Sequence, residues 1–357
     1  MMLPQVMILY NEPVLPLDHP DYASERDILD IVRSVTKILS AGPYRIRKLG
    51  IGNDLELFLA ELRDDRPDAV FNLFEGLADR PHTETTVAGV LEWLGIPFTG
   101  CPADTLTMAR DKLRTKYMLR GAGLPTAAAI AVERLPCPKP DFPWPVIVKP
   151  ANQDASVGID QSSVVTNQAA LAERVERVFD RFGGPVLVEQ YIEGREFHVS
   201  VVDGRPDSHG RCPAHVLPLA EIKYKDPNLW PIYSYDAKWA EDSWEYRATP
   251  LVSPVIVPNE LMDRICEVSA GAYRLLNCRD YARVDLRVNK EGQPFILEVN
   301  PNPFLTSLAM INGLAVVGLS HAQFVRDLVE AALARDPARI LKARKRRRRK
   351  RTMQEAT

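Results

Sequence analysis

Residues 281–300 constrain the fold of this chain more than any other stretch. In Tyr281–Val288, YARVDLRV, the apolar Ala282, Val284, Leu286 and Val288 alternate with Arg283, Asp285 and Arg287. Period-two alternation sends the two sets to opposite faces of a strand. Asn289–Gln293, with Gly292, supplies a turn, and PFILEVN (Pro294–Asn300) reads as the returning strand. On it Phe295, Leu297 and Val299 share one face, and Ile296, Glu298 and Asn300 the other. With a Lys290–Gln293 loop, Asp285 stands opposite Glu298 and Arg283 opposite Asn300. Carboxylates facing each other across a ladder repel, so something positive belongs between them. Either Arg283 or Arg287 fills that role in a purely structural cluster, or Mg²⁺ does, with Asp285, Glu298 and Asn300 as oxygen ligands.

Upstream, strand and helix signals alternate. A short apolar run at Gln5–Tyr10 suits a buried parallel strand, and Arg45–Ile51 and Ala69–Phe74 are further strand candidates. Ser24 three residues before Asp27 opens a helix bearing Ile28, Ile31, Val32, Val35, Ile38 and Leu39 at helical spacing, and residues 83–94 predict another. This βαβ-like order predicts a doubly wound, Rossmann-like α/β domain over residues 1–103. From Asp104 a single helix is expected, with Leu106, Ala109, Leu113 and Tyr117 on its buried stripe and Lys112 and Lys116 off it. A proline-rich linker then leads to the strand Val146–Lys149 and the polar loop Ala151–Gly158. A helix with Leu171, Val175, Val178, Phe179 and Phe182 precedes the strand Val186–Ile192. Residues 203–253, rich in Pro, Trp and Tyr, read as strands broken by long loops. Lys149, at a strand end beside Ser156-Val157-Gly158, suits a phosphate held by an ammonium and backbone N–H groups. The alternative is a solvated edge lysine. Neither GxxxxGK[ST] nor GxGxxG occurs.

Charge is unevenly spread. The 357-residue chain carries a net −2, yet nine of its 45 Lys and Arg fall within residues 342–351. Setting aside those nine and Glu355 leaves residues 1–341 at −10, an acidic body with a basic tail over 336–357. The tail is either a solvated extension or a non-specific contact to nucleic acid or an anionic surface; it has no aromatic side chain to stack on bases. Five cysteines without a CxxC pair disfavour a disulfide framework or a cysteine zinc site. No basic leader opens the chain and no run approaches about 18 apolar residues, so a cytoplasmic protein without a membrane span is expected. His82, His198 and His321 read as surface or packing histidines, and Cys266 and Cys278 as core.

The motif series ARDKLRTKYMLRGAGLP, VIVKPANQDASVG, VLVEQYIEGREF, RVDLRV and LEVNPNP resembles the ATP-grasp superfamily, and within it the D-alanine–D-alanine ligases, over about residues 5–335. The resemblance implies a Rossmann-like domain followed by the two-lobed ATP-grasp fold, α+β in character. A central lobe would span 104–192 and a C-terminal lobe 193–335. It implies ATP with Mg²⁺ or Mn²⁺, amino-acid-like substrates and a homodimer. Lys112 and Lys149 match lysines on the phosphates. Glu189, Gln190 and Ile192 match the adenine hinge, and Glu196 matches the ribose acid. Asp285, Glu298 and Asn300 match the metal ligands, and Arg283 matches the arginine facing the oxyanion. Glu25 matches the acid that orients the first substrate's ammonium. Lys238, within Tyr233–Trp239, matches the lysine of a mobile loop, and Ser156 is the hydroxyl kept in the central loop.

The departures from the resemblance gather in the amino-acid pocket. Ala155 stands where those ligases have a serine, Trp239 where they have a tyrosine, and Glu75 where they have a histidine. Phe304 replaces a glycine, and Ala309 replaces a carboxylate-binding serine, leaving Thr306 and Ser307 as the nearby hydroxyls. The expectation is an ATP-dependent carboxylate–amine ligase working through an acyl phosphate, with substrates other than two D-alanines. A true D-alanine–D-alanine ligase and a nucleotide-binding protein without catalysis are the alternatives.

Overall fold

The computed structural model describes residues 3–15, 28–77, 80–151, 156–204 and 212–336. Glu25, Asp154, Ala155 and the basic segment 342–351 lie outside the described residues. The chain divides into two compact units, residues 1–104 with 319–357, and residues 105–318.

In the first unit three parallel strands, β1 (Gln5–Asn11), β2 (Arg45–Ile51) and β3 (Ala69–Leu73), lie in the order β2-β1-β3. Val6–Leu9 at the centre is fully buried, as a continuous apolar run in a parallel sheet requires. Val70 bridges to Phe98 in parallel on the far side of β3. Helices α1 (Ile28–Ser40), α2 (Leu55–Asp64) and α3 (Thr83–Trp93) complete the alternation. The C-terminal lobe expected to run to residue 335 loses its last helix: His321–Ala334 packs on α1 and β3 of this first unit. Its apolar stripe Phe324, Val325, Leu328, Val329 and Ala332 is buried there, and Tyr44 donates to Glu330 at 2.7 Å.

The second unit begins with two helices where one was expected. α4 (Ala103–Arg110) stops, and Asp111 turns out of helical geometry to cap α5 (Lys112–Gly121), accepting the Arg114 N–H at 2.9 Å. The break rotates the second helix's buried face. Tyr117, expected inside, is exposed, and Thr115, Lys116 and Leu119 are buried instead.

β4 (Ala129–Val132), β5 (Val146–Pro150), β6 (Val164–Val165) and β7 (Val186–Gln190) form an antiparallel sheet in the order β4-β7-β5-β6. Helix α6 (Gln168–Phe182) packs its Leu171, Val175 and Val178 against Val146, Val148, Val186 and Val188. The larger sheet is built on β8 (Arg195–Asp203), joined to β9 (Ala214–Val216), β10 (Ala220–Ile222), β11 (Leu251–Val252), β12 (Tyr281–Val288) and β13 (Pro294–Pro301) in the path β11-β10-β8-β12-β13. Between β10 and β11 run α7 (Tyr235–Trp239) and α8 (Trp244–Ala248), and α9 (Asn259–Leu275) packs on the sheet. α10 (Leu308–Val316) lies against β8 and β11, and the first-unit helix at 321–334 is α11.

Candidate functional site

β12 is the inner strand of the larger sheet, flanked by β8 and β13, so all its side chains are wholly or largely buried. The register places Asp285 opposite Glu298 and Arg283 opposite Asn300, as the alternation predicts. The route differs. The pairing Val288–Pro294 makes the connection one residue longer than expected, and a bulge at Leu297 restores the register next to the carboxylates. Ile296, paired with Leu286, thereby leaves the face it was expected to share with Glu298, and Leu297 lines the same cavity as Glu298 and Asn300.

The cations that answer the carboxylates are divided. Arg283 donates Nε to Asp285 Oδ1 at 2.6 Å and Nη2 to Oδ2 at 2.8 Å, while Asn300 Nδ2 reaches the same Oδ2 at 2.9 Å. Lys112, from the first turn of α5, meets Glu298 Oε2 at 3.2 Å. Arg287, the other candidate in the sequence, turns to Glu196 instead (3.7 Å) and stacks over Tyr191 and Tyr224. Burial would raise the Glu298 carboxyl, but Lys112, Lys149 and Arg283 hold it far below the usual carboxylate range. Asp285, Glu298 and the Asn300 side chain offer hard oxygen donors on one face, a set that fits Mg²⁺ completed by phosphate oxygens. Among the described residues no group of three or more His, Cys, Asp or Glu stands ready to hold a metal. This trio counts two carboxylates and an amide.

These groups face a cleft with about 880 Å³ of atom-free space, part of it open to solvent. One wall is β5, β7 and the hinge that follows: Ile147, Lys149, Glu189, Gln190, Tyr191 and Ile192. Opposite lie Glu196 and His198 of β8, and Lys238 of α7 closes one side together with Tyr233 and Ser156. Gly194 permits the hinge: its φ is +147°, and a Cβ there would collide with the Val288 carbonyl. Glu196 follows at once, its Oε2 accepting the Tyr224 hydroxyl at 2.7 Å. Burial raises the Glu196 carboxyl despite Arg287 beside it. Ser156, in the left-handed region at φ +64°, donates to the Tyr233 carbonyl at 2.9 Å. Of the sequence-derived site residues, twelve thus line one cleft, and Glu25 lies outside the described residues.

Three features were not anticipated. His198, expected as a packing or surface residue, sits in the cleft beside Asp285 and Tyr233. Its position on a strand two residues after Glu196 was the available signal. Glu189 does not present a free carboxylate to the hinge; both oxygens are taken by lysines, Lys149 at 2.8 Å and Lys116 at 2.9 Å. Lys116 itself, expected off the buried stripe, is fully enclosed.

A family model described as "D-ala D-ala ligase C-terminus" matches residues 121–330, which contain β4 through β13 and every cleft residue except Lys112. The chain belongs to the D-alanine–D-alanine ligase family. A D-alanine–D-alanine ligase of Sphingopyxis alaskensis is 30% identical over 326 residues, 87% of this chain and 95% of that protein. An uncharacterised protein of Sinorhizobium fredii, y4sG, is 31% identical over 264 residues, 74% of each chain. The crystal structure of the D-alanine–D-alanine ligase from Bacillus anthracis complexed with ATP shares the fold, with a TM-score of 0.69 at 22% identity, covering 92% of this chain and 97% of that one.

Against the D-alanine–D-alanine ligase pattern, the altered positions have definite surroundings here. Ala309 is buried on α10, and Ser307, a remaining hydroxyl, caps that helix, accepting the Met310 N–H at 3.3 Å. Trp239 carries the Lys238 ammonium 5.1 Å above its ring. Trp230 packs edge-on against Tyr191, whereas Trp244 is exposed and donates Nε1 to Asp226 at 2.6 Å.

Proposed function

We propose that this chain is an ATP-dependent carboxylate–amine ligase whose substrates are not two D-alanines. One observation carries the reading: Lys112 of helix α5, Lys149 of one sheet, and an arginine, two carboxylates and an amide of the other converge on a single cleft beside the hinge Glu189–Ile192. Lys112 and Lys149 bind the polyphosphate, with adenine against the hinge and the ribose hydroxyls on Glu196. Mg²⁺, held by Asp285, Glu298 and Asn300, would neutralise phosphate charge. A substrate carboxylate attacks the γ-phosphorus, the bond to the β-phosphate oxygen breaks, and ADP leaves. An amine then attacks the acyl phosphate carbon, loses a proton, and phosphate departs. Arg283 faces the charge that develops on the carbonyl oxygen, and Lys238 and Ser156 border the same space.

Altered substrates are supported by the pocket. With the buried Ala309 carrying no hydroxyl, the serine donor expected for a D-alanine carboxylate is missing, and an unpaired carboxylate is strongly disfavoured. The test is ADP release by purified protein with Mg-ATP against D- and L-amino acids, singly and in pairs. Amino-acid-dependent ADP release without D-alanyl-D-alanine is expected. Stoichiometric D-alanyl-D-alanine would overturn the altered-substrate reading, and ATP binding without ADP release across the panel would overturn catalysis.

A further inference from the structure

Lys116 is fully enclosed, its side chain 1% exposed. Its Nζ lies 2.9 Å from Glu189 Oε1 and 2.9 Å from Thr126 Oγ1. The Thr126 hydroxyl proton is already given to the Ile296 carbonyl at 2.6 Å, so Thr126 accepts from Lys116. On the other side of the same carboxylate, Oε2 holds Lys149 at 2.8 Å. The row Lys116–Glu189–Lys149 therefore has one closed end and one open end, since Lys149 is 14% exposed and lines the cleft.

Such a row is a poor way to stabilise a core. Burying a charged group costs more than an apolar side chain of the same size would, and ion pairs of this kind are often replaceable at no loss. Its effect on the open end is distinct. Glu189 alone would cancel the charge of Lys149, leaving a neutral pair facing the cleft. Lys116 behind it returns the row to a net charge of +1. Burial lowers the pKa of Lys116 and the Glu189 carboxylate opposes this, while the two lysines bring Glu189 from 4.5 to about 2 although its burial pulls the other way.

We infer that Lys116 is a positioning residue for the phosphates: it neutralises Glu189 from behind, so that Lys149 keeps both its place and its full positive charge toward the cleft. The inference rests on the nucleotide reading of that cleft. The same helix presents Lys112 to Glu298 one turn earlier, so α5 carries both the direct and the indirect phosphate lysine.

The experiment is calorimetric titration of the full-length protein with adenosine and with ATP, and the readout is the ratio of their dissociation constants. That ratio isolates the phosphate contribution from any change in the hinge. In Lys116→Met the preference for ATP over adenosine is expected to fall by at least about 10-fold, equal to about 1.4 kcal/mol. In Lys116→Met/Glu189→Gln, where Lys149 again stands at +1, it is expected to return to within about 3-fold of the parent. A parental ratio in the single variant overturns the inference. So does an equal loss of adenosine and ATP affinity, or a double variant that fails to recover. If the single variant does not fold, the double variant decides alone: a merely structural anchor would leave it impaired toward ATP. A parent chain that binds neither ligand sinks the nucleotide reading itself, a different outcome from all of these.

Discussion

Replacing Glu298 by Gln separates a metal-binding hairpin from a salt-bridged one. Glu298 faces Asp285 across β12–β13 and meets Lys112 at 3.2 Å, the two side chains being 32% and 10% exposed. The substitution removes one of two facing carboxylates, relieving about 0.2–1 kcal/mol of repulsion. It also turns an ion pair into a neutral contact, which costs about 1 kcal/mol at this burial. These effects nearly cancel, so the thermal midpoint is expected to move by no more than about 2–4 °C. Activity answers to a different quantity. Losing an outer partner of a metal ligand costs about 10–100-fold, and losing one of two anionic ligands costs at least the upper end of that. ADP release at saturating Mg-ATP is therefore expected to drop by about 100-fold or more, about 2.7 kcal/mol of barrier. The assay pairs a coupled ADP measurement with a melting curve on the same sample. Turnover within about 3-fold of the parent, together with a midpoint lowered well beyond the range above, would refute the metal reading. The carboxylates would then be partners of Lys112 and Arg283 and nothing more.

Three further outcomes follow from the geometry. Burial brings the His198 imidazole from 6.5 to about 4 against the pull of Asp285, so the unfolded chain takes up a proton that the folded one refuses. Stability from this residue is complete above pH 6.5 and declines by about 3 kcal/mol as pH falls through 4; urea titrations across that window should be flatter for His198→Asn. Tyr224→Phe removes the 2.7 Å hydrogen bond to the buried Glu196 carboxylate; KM for ATP should rise about 5–10-fold with little change in kcat, read from initial rates. Asp111→Ala deletes the cap of α5 and should cost about 1 kcal/mol in chemical denaturation, with weaker ATP binding because both Lys112 and Lys116 ride on that helix.

What the sequence made legible was governed by period and by local chemistry. Alternation along Tyr281–Val288 fixes which side chains share the Asp285 face, because a strand's two faces are set by parity. The partner across the ladder depends on the turn, where a one-residue error shifts every pair. The returning strand also bulges, so the same rule put Phe295, Ile296 and Leu297 on the wrong faces; the long connection and the bulge offset each other only from the carboxylates onward. Lys116 was hidden for a related reason. Helical spacing carried from Leu106 to Tyr117 assumes one unbroken helix, and the cap at Asp111 restarts the phase, exchanging Tyr117 for Lys116 inside. An Asp one residue before a lysine was visible all along, but Asp is common in helices, and only the Arg114 N–H pointing back at it distinguishes a cap from a surface acid. His198 shows the remaining limit. Its strand and its parity with Glu196 could be read, yet whether that face met water or a cleft depended on α7 folding back over it, a long-range contact that no local pattern encodes. The motifs that hold the direct phosphate and metal groups are short and local, so they were readable. The groups standing behind them, Lys116 above all, belong to packing between distant segments and appear only when those segments meet.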